Sequence, residues 1–472
     1  MEQSRSSFKG SLGFVLAAAG SAVGLGNIWR FPYLAAKDGG GLFLAIYLML
    51  ALTFGFAMLT SETAIGRKTK QSPLTAYGKV HKKWGWLGII ASFVPFIIMP
   101  YYCVIGGWVL KYFLAFVTGH GQDATNDEYF GSFITDKTQP NAMLIIFIVV
   151  CAIIIFIGVE KGIEKFSKIV MPLLLVLVIG IAIYSLTLSK TADDNTTRTG
   201  LQGLKILFIP DMKDVTLKQF GITIVDAMGQ LFYSLSVAMG IMIAYGSYVR
   251  DEDNLVKSIN QIEIFDTAVA FLAGIMIIPA VYVFMGKEGL SASGPSLMFV
   301  SLPKVFMQMG SIGNVVGALF FAMVLFAAIT SAISILEAVV SSIIDKFKAS
   351  RQVSTIIETV LALLIGIAVC RGFDGSSHFF IDVHLPNMAD GATGQLLDVM
   401  DYMSNNILMP LVAIFTCILI GWVVKTNYVL DEITKNGERS NRRTLYKAMV
   451  KYVSPVLLFI LLLMSLGVIS FD

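Results

Sequence analysis

The sequence predicts an all-α integral membrane protein of about eleven spanning helices, the first and sixth interrupted near their middles. Three observations carry this. Of the 472 residues, 56% are hydrophobic and only 14% charged, against about 25% charged in soluble domains, and the mean hydropathy is +0.75. The apolar residues fall in blocks long enough to cross about 30 Å of hydrocarbon at 1.5 Å per residue. Two of these blocks hold helix-breaking clusters. One is Gly20-Ser21-Ala22-Val23-Gly24-Leu25-Gly26-Asn27, in a run from Leu12; the other is Ser234-Leu235-Ser236-Val237-Ala238-Met239-Gly240, in a run from Phe220. Lipid supplies no hydrogen-bond partners, so a broken helix at that depth must lie inside protein or beside water. Its freed carbonyls suit cations and its freed amides suit anionic groups. The pattern therefore points to a transporter with a binding site at the membrane midplane.

In chain order the expected spans are 11–36, 41–66, 85–118, 141–159, 166–188, 219–248, 260–285, 313–345, 352–371, 395–424 and 445–470. Loop charge sets their direction, because Lys and Arg gather on the cytoplasmic side of short loops. The 67–84 loop carries Arg67, Lys68, Lys70, Lys79, Lys82 and Lys83; Lys346, Lys348 and Arg351 follow in 346–351, and Lys425, Arg442 and Arg443 in 425–447. The 119–140 loop has Lys137 against four acids. The 189–218 loop breaks the pattern with five basic residues, but it is long and carries four acids. The N-terminus is expected in the cytoplasm and Asp472 outside. The first apolar run is too long for a cleavable signal peptide.

The spans divide as five, five and one within a single domain, 1–472. The first repeat would be 11–188, an inverted second repeat 219–424, and an extra span 445–470. The two interrupted spans then hold corresponding places, the pattern of a site between inverted repeats. Nucleic-acid binding is disfavoured, since no basic stripe carries interleaved aromatics. Cys103, Cys151, Cys370 and Cys417 sit in or beside apolar blocks without metal-ligand spacing and read as packing residues. His81, His120, His378 and His384 fall in expected loops, and no metal cluster or nucleophile–base pair suggests an enzyme.

A family resemblance becomes specific at the first interruption. Leu12-Gly13, then Ala22-Val23-Gly24-Leu25-Gly26-Asn27-Ile28-Trp29-Arg30-Phe31-Pro32-Tyr33, resembles the first-helix signature of the neurotransmitter:sodium symporter family, prokaryotic branch. Gly39-Gly40-Gly41, Gly229-Gln230-Leu231-Phe232-Tyr233-Ser234-Leu235-Ser236, Tyr245-Gly246-Ser247-Tyr248 and Thr330-Ser331 continue the likeness over nearly the whole chain.

The resemblance implies two Na⁺ sites. One would use carbonyls of Gly20, Val23 and Ala327 with hydroxyls of Thr330 and Ser331, which fall on one helix face. Without the family, both hydroxyls would read as back-bonded to their own helix. The second would use the Ala22 carbonyl, Asn27, Ser234, Asp266 and the substrate carboxylate. An intramembrane carboxylate is a functional-site hypothesis by default. Family members commonly have Asn where Asp266 stands, and chloride-dependent ones have Ser at the place of Ala270. Tyr47, Gln230 and Ser234 match other chloride ligands, but an anion beside Asp266 would meet like charge. Chloride independence is therefore expected.

For the substrate, the resemblance implies a carboxylate held by the amides of Leu25 and Gly26 and by Tyr102. An ammonium would meet the carbonyls of Ala22, Tyr233 and Ser234 and the Ser236 hydroxyl, and Gly24 would leave room beside the pocket. Ile98, Tyr233, Met239, Ala332 and Ile335, with Ser331 at the edge, would line an uncharged side-chain pocket. Singly, each of these residues would read as core packing. Gates are implied at Arg30–Asp401 outside, above Tyr102 and Tyr233, and at Arg5–Asp345 inside, supported by Tyr248. Phe8 replaces the usual Trp, which implies a looser inner latch. Gly162 and Pro172 resemble the family's unwinding motif in the fifth span, and Glu62 and Glu337 are intramembrane acids with no assigned role. The expectation is a two-Na⁺ symporter of neutral, hydrophobic or aromatic amino acids in a bacterial or archaeal cell membrane. Its partners would be substrate and bilayer, a monomer would suffice, and the oligomeric state is left open. A carrier of a betaine or γ-amino acid, and a non-transporting amino-acid sensor, stand as alternatives.

Overall fold

A computed structural model describes residues 7–191, 196–211, 216–386, 388 and 391–469; Arg5 and Asp472 lie outside them. Among the described residues, nine continuous helices are long and apolar enough to cross a bilayer: Gly41–Thr69, Lys82–Val117, Gln139–Ile157, Val159–Thr187, Leu255–Met285, Gly310–Phe347, Arg351–Arg371, Leu396–Val423 and Arg443–Ser465. A tenth crossing is the pair Ser11–Ala22 and Gly26–Lys37, bent by 51°. The expected sixth span is Leu217–Ser234 followed by Ile241–Gly246. Its two pieces are separated by the non-helical residues 235–240. Eleven crossings are compatible with this arrangement.

Local signals set the ends. Thr216, Asn254 and Ser350 cap the sixth, seventh and ninth spans by accepting the amides of Gln219, Lys257 and Val353. Such caps each satisfy an orphan amide and are worth about 1 kcal/mol. Outside the spans, Thr199 and Gln202 form a capping box that opens a short helix, Gly200–Phe208.

Burial sorts the spans into interior and perimeter. In the most apolar stretch of each, 78% of the eighth span and 72% of the third is buried, against 39% of the fourth, fifth and ninth and 28% of the eleventh. The third and eighth therefore form the central wall, and the least buried spans turn apolar side chains such as Ile153, Val176 and Phe459 outward. Helix association in lipid depends on close backbone approach. The second span meets the inner half of the sixth through reciprocal glycines. A Cβ on Gly66 would stand 2.1 Å from the Ile243 carbonyl oxygen, and one on Gly246 would stand 2.4 Å from that of Thr63.

Candidate functional site

The site is built where the two interrupted spans face the third and eighth. In the first span the helix ends at Ala22, Val23 turns out of helical geometry (ψ 85°), and a wide π-turn begins at Gly26. In the sixth span Ser236, Ala238 and Gly240 all take left-handed φ (52°, 61° and 72°). The interruptions hold each other: the Ser236 hydroxyl donates to the Ser21 carbonyl (3.0 Å), and the Ser21 hydroxyl donates to Ser236 Oγ (3.1 Å). Glu62 of the second span accepts the Ala238 amide at 2.6 Å, which satisfies one amide freed by the unwinding.

Between the interruptions lies a cavity of about 20 Å³, roughly the volume that admits one water. Ala22, Gly24, Leu25, Gly26, Ile98, Tyr102, Tyr233, Ser234, Ser236, Met239, Ser331 and Ile335 line it, with Ser21 and Asn27. Of the expected substrate contacts only Ala332 is off this lining; it is fully buried. Among the described residues the buried Tyr102 hydroxyl has no well-formed hydrogen bond, and the groups it faces are the Leu25 backbone and the Ser331 hydroxyl. A Cβ on Gly24 would lie 3.6 Å from that hydroxyl and 2.9 Å from Ser331 Oγ. Among the described residues no Asp, Glu, Lys, Arg or His lines this cavity, so a charged substrate side chain would be left unpaired at high cost.

At one edge a dense polar cluster forms. Asn27 Nδ2 donates to Asp266 Oδ1 at 2.8 Å, and Ser234 Oγ donates to the same oxygen at 2.7 Å. Ser234 is also 3.0 Å from Asn27 Oδ1, and the Tyr47 hydroxyl reaches Asp266 Oδ2 at 3.4 Å. Asp266 is fully buried and faces these donors rather than a cation side chain. Gln230 Nε2 donates to the Gly26 carbonyl (3.1 Å), leaving its own Oε1 without a partner among the described residues.

At the other edge, Thr330 Oγ1 donates to the carbonyls of Phe326 and Ala327, both at 3.0 Å. This is the back-bonded geometry that a helix hydroxyl adopts by default. Ser331 instead crosses to the first span, 3.1 Å from the Ser21 carbonyl and 3.5 Å from that of Gly20. A Cβ on Gly20 would lie 3.2 Å from Thr330 Cβ, so the Gly20 backbone and the Thr330 side chain face each other. Val23 is fully buried beside Gly20.

The expected gates differ in how far they are joined. Among the described residues no ion pair links Arg30 to Asp401. Asp401 accepts from Asn405 Nδ2 at 2.6 Å, and Arg30 Nη2 lies beside Gly229. On the inner side Asp345 Oδ2 accepts the Ser72 amide at 2.6 Å. Tyr248 donates to Glu337 Oε1 (2.5 Å), and Arg351 grips both oxygens of the same carboxylate at 2.7 and 3.0 Å. Phe8 is fully buried among Phe14, Tyr245 and Tyr248, and its amide donates to the Tyr248 carbonyl.

Sequence reasoning left Glu337 without a role and missed two further anchors. Arg351 is the nearest arginine across a short loop from Glu337, and a buried carboxylate in an apolar helix calls for such a partner. Glu164, at the start of the fifth span, accepts the Lys9 amide (2.9 Å) and the Lys168 ammonium (2.6 Å), while Lys9 Nζ pairs with Glu160 at 2.9 Å. Arg67, fully buried, donates to Glu432 Oε1 at 2.7 Å and to the Asp253 carbonyl at 2.8 Å.

Comparison with known proteins places this geometry. A family model described as the sodium:neurotransmitter symporter family matches residues 5–127 and 128–471. An uncharacterized sodium-dependent transporter of Bacillus subtilis is 32% identical over 480 aligned positions, covering all of both chains. The sodium- and chloride-dependent GABA transporter 2 of Rattus norvegicus is 26% identical, covering 91% of this chain and 75% of its own. Among solved structures, MhsT in complex with L-phenylalanine is 34% identical, with a TM-score of 0.83 over 98% of this chain and 100% of that one.

Proposed function

The chain belongs to the sodium:neurotransmitter symporter family, and from that premise we propose that it imports neutral, hydrophobic or aromatic amino acids by two-Na⁺ symport without chloride. That it is a multi-pass, sodium-coupled transporter of small molecules rather than an enzyme follows from the family itself.

The observation that carries the finer reading is the buried Tyr102 hydroxyl beside Gly24, without a well-formed hydrogen bond among the described residues, in a cavity that no Asp, Glu, Lys, Arg or His lines. A buried hydroxyl left unsatisfied costs about 1–3 kcal/mol, and a substrate carboxylate at the freed amides of Leu25 and Gly26 would satisfy it. The ammonium would turn to the carbonyls of Ala22, Tyr233 and Ser234, and the apolar body to Ile98, Met239 and Ile335. One Na⁺ would take Ala22, Asn27, Ser234, Asp266 and the carboxylate as ligands; the other would take Gly20, Val23, Ala327, Thr330 and Ser331. Carbonyl, hydroxyl and carboxylate oxygens are the donors a hard cation prefers. Shared ligands make ion and substrate stabilise each other, and that reciprocity is the coupling. Asp266 would supply the negative charge that chloride provides elsewhere, which supports chloride independence.

Two Na⁺ with a zwitterion carry two charges, worth about 4.6 kcal/mol at 100 mV. Alternating access would rock the first, second, sixth and seventh spans against the rest, closing Arg30 toward Asp401 on one side and Arg5 toward Asp345 on the other. A carrier of γ-amino acids or betaines is less well supported. The space over Gly24, where a displaced carboxylate would sit, is bounded by Ser331 Oγ and the Tyr102 hydroxyl.

Proteoliposomes loaded by an inward Na⁺ gradient test this reading. Uptake and counterflow of labelled L-phenylalanine or L-leucine are expected, unchanged when gluconate replaces chloride. Binding without counterflow would make the protein a sensor, and uptake that needs chloride would remove the Asp266 argument.

A further inference from the structure

The eleventh span lies at the perimeter, and the end that follows the 425–442 loop carries a stripe of cations. Arg443, Lys447 and Lys451 recur at four-residue spacing, which sets them on one helix face. None of the three makes an ion pair among the described residues, and neither does Lys425 at the end of the tenth span. The acids nearby are engaged elsewhere: Glu263 holds Arg442, Glu432 holds Arg67 and Lys435, and Glu438 accepts the Asn436 amide. Asp431 is exposed on the helix Asn427–Ile433, which packs on the second span.

The two spans touch beside this stripe. A Cβ on Gly421 would stand 3.3 Å from the Val450 carbonyl oxygen. Within the wide turn Met449–Val453 the Lys451 carbonyl accepts the Trp422 indole N–H at 3.1 Å. Trp422 packs edge-on against Tyr452 (5.6 Å between ring centres), and Lys451 Nζ stands 5.8 Å from the Trp422 ring centre. Both aromatic residues are more than half exposed, the placement expected at the boundary between hydrocarbon and head groups. Four residues toward the loop from this contact stand Lys425 on one span and Lys447 on the other. In the opposite direction, exposed Val453, Val456 and Phe459 continue the outward face of the eleventh span.

We infer that this junction of the tenth and eleventh spans binds an anionic phospholipid, its phosphate on Lys425, Arg443 and Lys447 and its chains along Val453, Val456 and Phe459. Unpaired cations just beyond an aromatic boundary, in line with an apolar face, complement a phosphate carried on acyl chains. A guanidinium adds paired N–H donors that match phosphate oxygens. A zwitterionic head group brings its own cation and gains less from the stripe. Free inorganic phosphate shares the anion but has no chains to lay on the apolar face. The central site is not involved: none of these residues lines it.

Native mass spectrometry of the full chain in detergent tests this, with chain-matched phosphatidylglycerol and phosphatidylethanolamine in one arm and inorganic phosphate in the other. Wild type is expected to keep phosphatidylglycerol at least tenfold better than phosphatidylethanolamine. The surface variant Lys425→Gln/Arg443→Gln/Lys447→Gln removes no buried group and should lose that preference. Lys82→Gln/Lys83→Gln, two exposed cations at the start of the third span, should keep it. Equal phosphatidylglycerol retention by wild type and the triple variant would overturn the inference. So would an equal loss in the double variant, which marks general surface charge rather than a site. Inorganic phosphate that binds as tightly as phosphatidylglycerol would overturn it as well, since the chains would then contribute nothing.

Discussion

The two interruptions are made differently. The first span breaks by bending: its disrupted stretch is Val23 to Leu25, none of these residues takes positive φ, and Gly24 lies within the turn with Gly20 before it and Gly26 after it. The sixth span breaks by unwinding over residues 235–240, with Ser236 and Ala238 in the left-handed region that side chains avoid. Glycine pre-pays the first break with its lack of a side chain. The second stores about 1 kcal/mol or more per non-glycine residue held there. One break is thus a shaped surface that neighbours approach, and the other is a strained segment that neighbours must hold.

Substitutions can break or sharpen this contrast. The largest effect is expected from Gly24→Ala, whose methyl would stand 2.9 Å from Ser331 Oγ. Overpacking costs about 1–3 kcal/mol, so substrate affinity should fall roughly tenfold to a hundredfold. Scintillation-proximity binding reads this, and undiminished binding would remove the first break from the substrate site.

Next comes Thr330→Ala with Ser331→Ala, which strips the eighth-span hydroxyls that face the first break. Apparent sodium affinity should drop about tenfold in uptake titrations, while Asp266→Asn should weaken sodium dependence or create a chloride requirement. Normal ion dependence in either variant would detach that residue set from sodium.

A smaller effect of opposite sign is expected for Ala238→Gly. Relief of positive φ should stabilise the fold by about 1 kcal/mol, visible as a higher melting temperature. The same change at Ala22, inside regular helix, should lower it. If Ala238→Gly also destabilises, the strain assigned to the unwound segment is absent.

The smallest test concerns the outer ends, where Lys37 joins the first span to Asp226 of the sixth. Asp38 beside them is raised from the ordinary aspartate range to about 7. Between pH 4 and 7 the folded protein therefore keeps a proton that the unfolded chain has released, and stability falls as pH rises. Asp38→Asn should flatten that slope, matching wild type at pH 4 and melting higher at pH 8.

Much of this architecture was legible because bilayer thickness imposes block lengths that a sequence displays. Both interruptions were visible as Gly and Ser clusters, for the reason that such residues weaken a helix. Their different mechanics were not, since nothing in Ser-Val-Ala specifies left-handed φ at Ala238 without the Glu62 carboxylate that receives its amide. The meeting of Asn27, Ser234 and Asp266 came from family likeness alone, because residues 239 apart in sequence carry no local signal of contact. Arg67 looked like one more loop cation marking the cytoplasmic side. Its burial against Glu432, 365 residues away, needed tertiary structure.

The serine pair that joins Ser21 to Ser236 has a mechanical implication. A rivet between two cranked rods removes slack, so neither inner half can swivel far without dragging its counterpart. The pair would then convert two independent flaps into one lever, and cargo loaded on either rod would register on both.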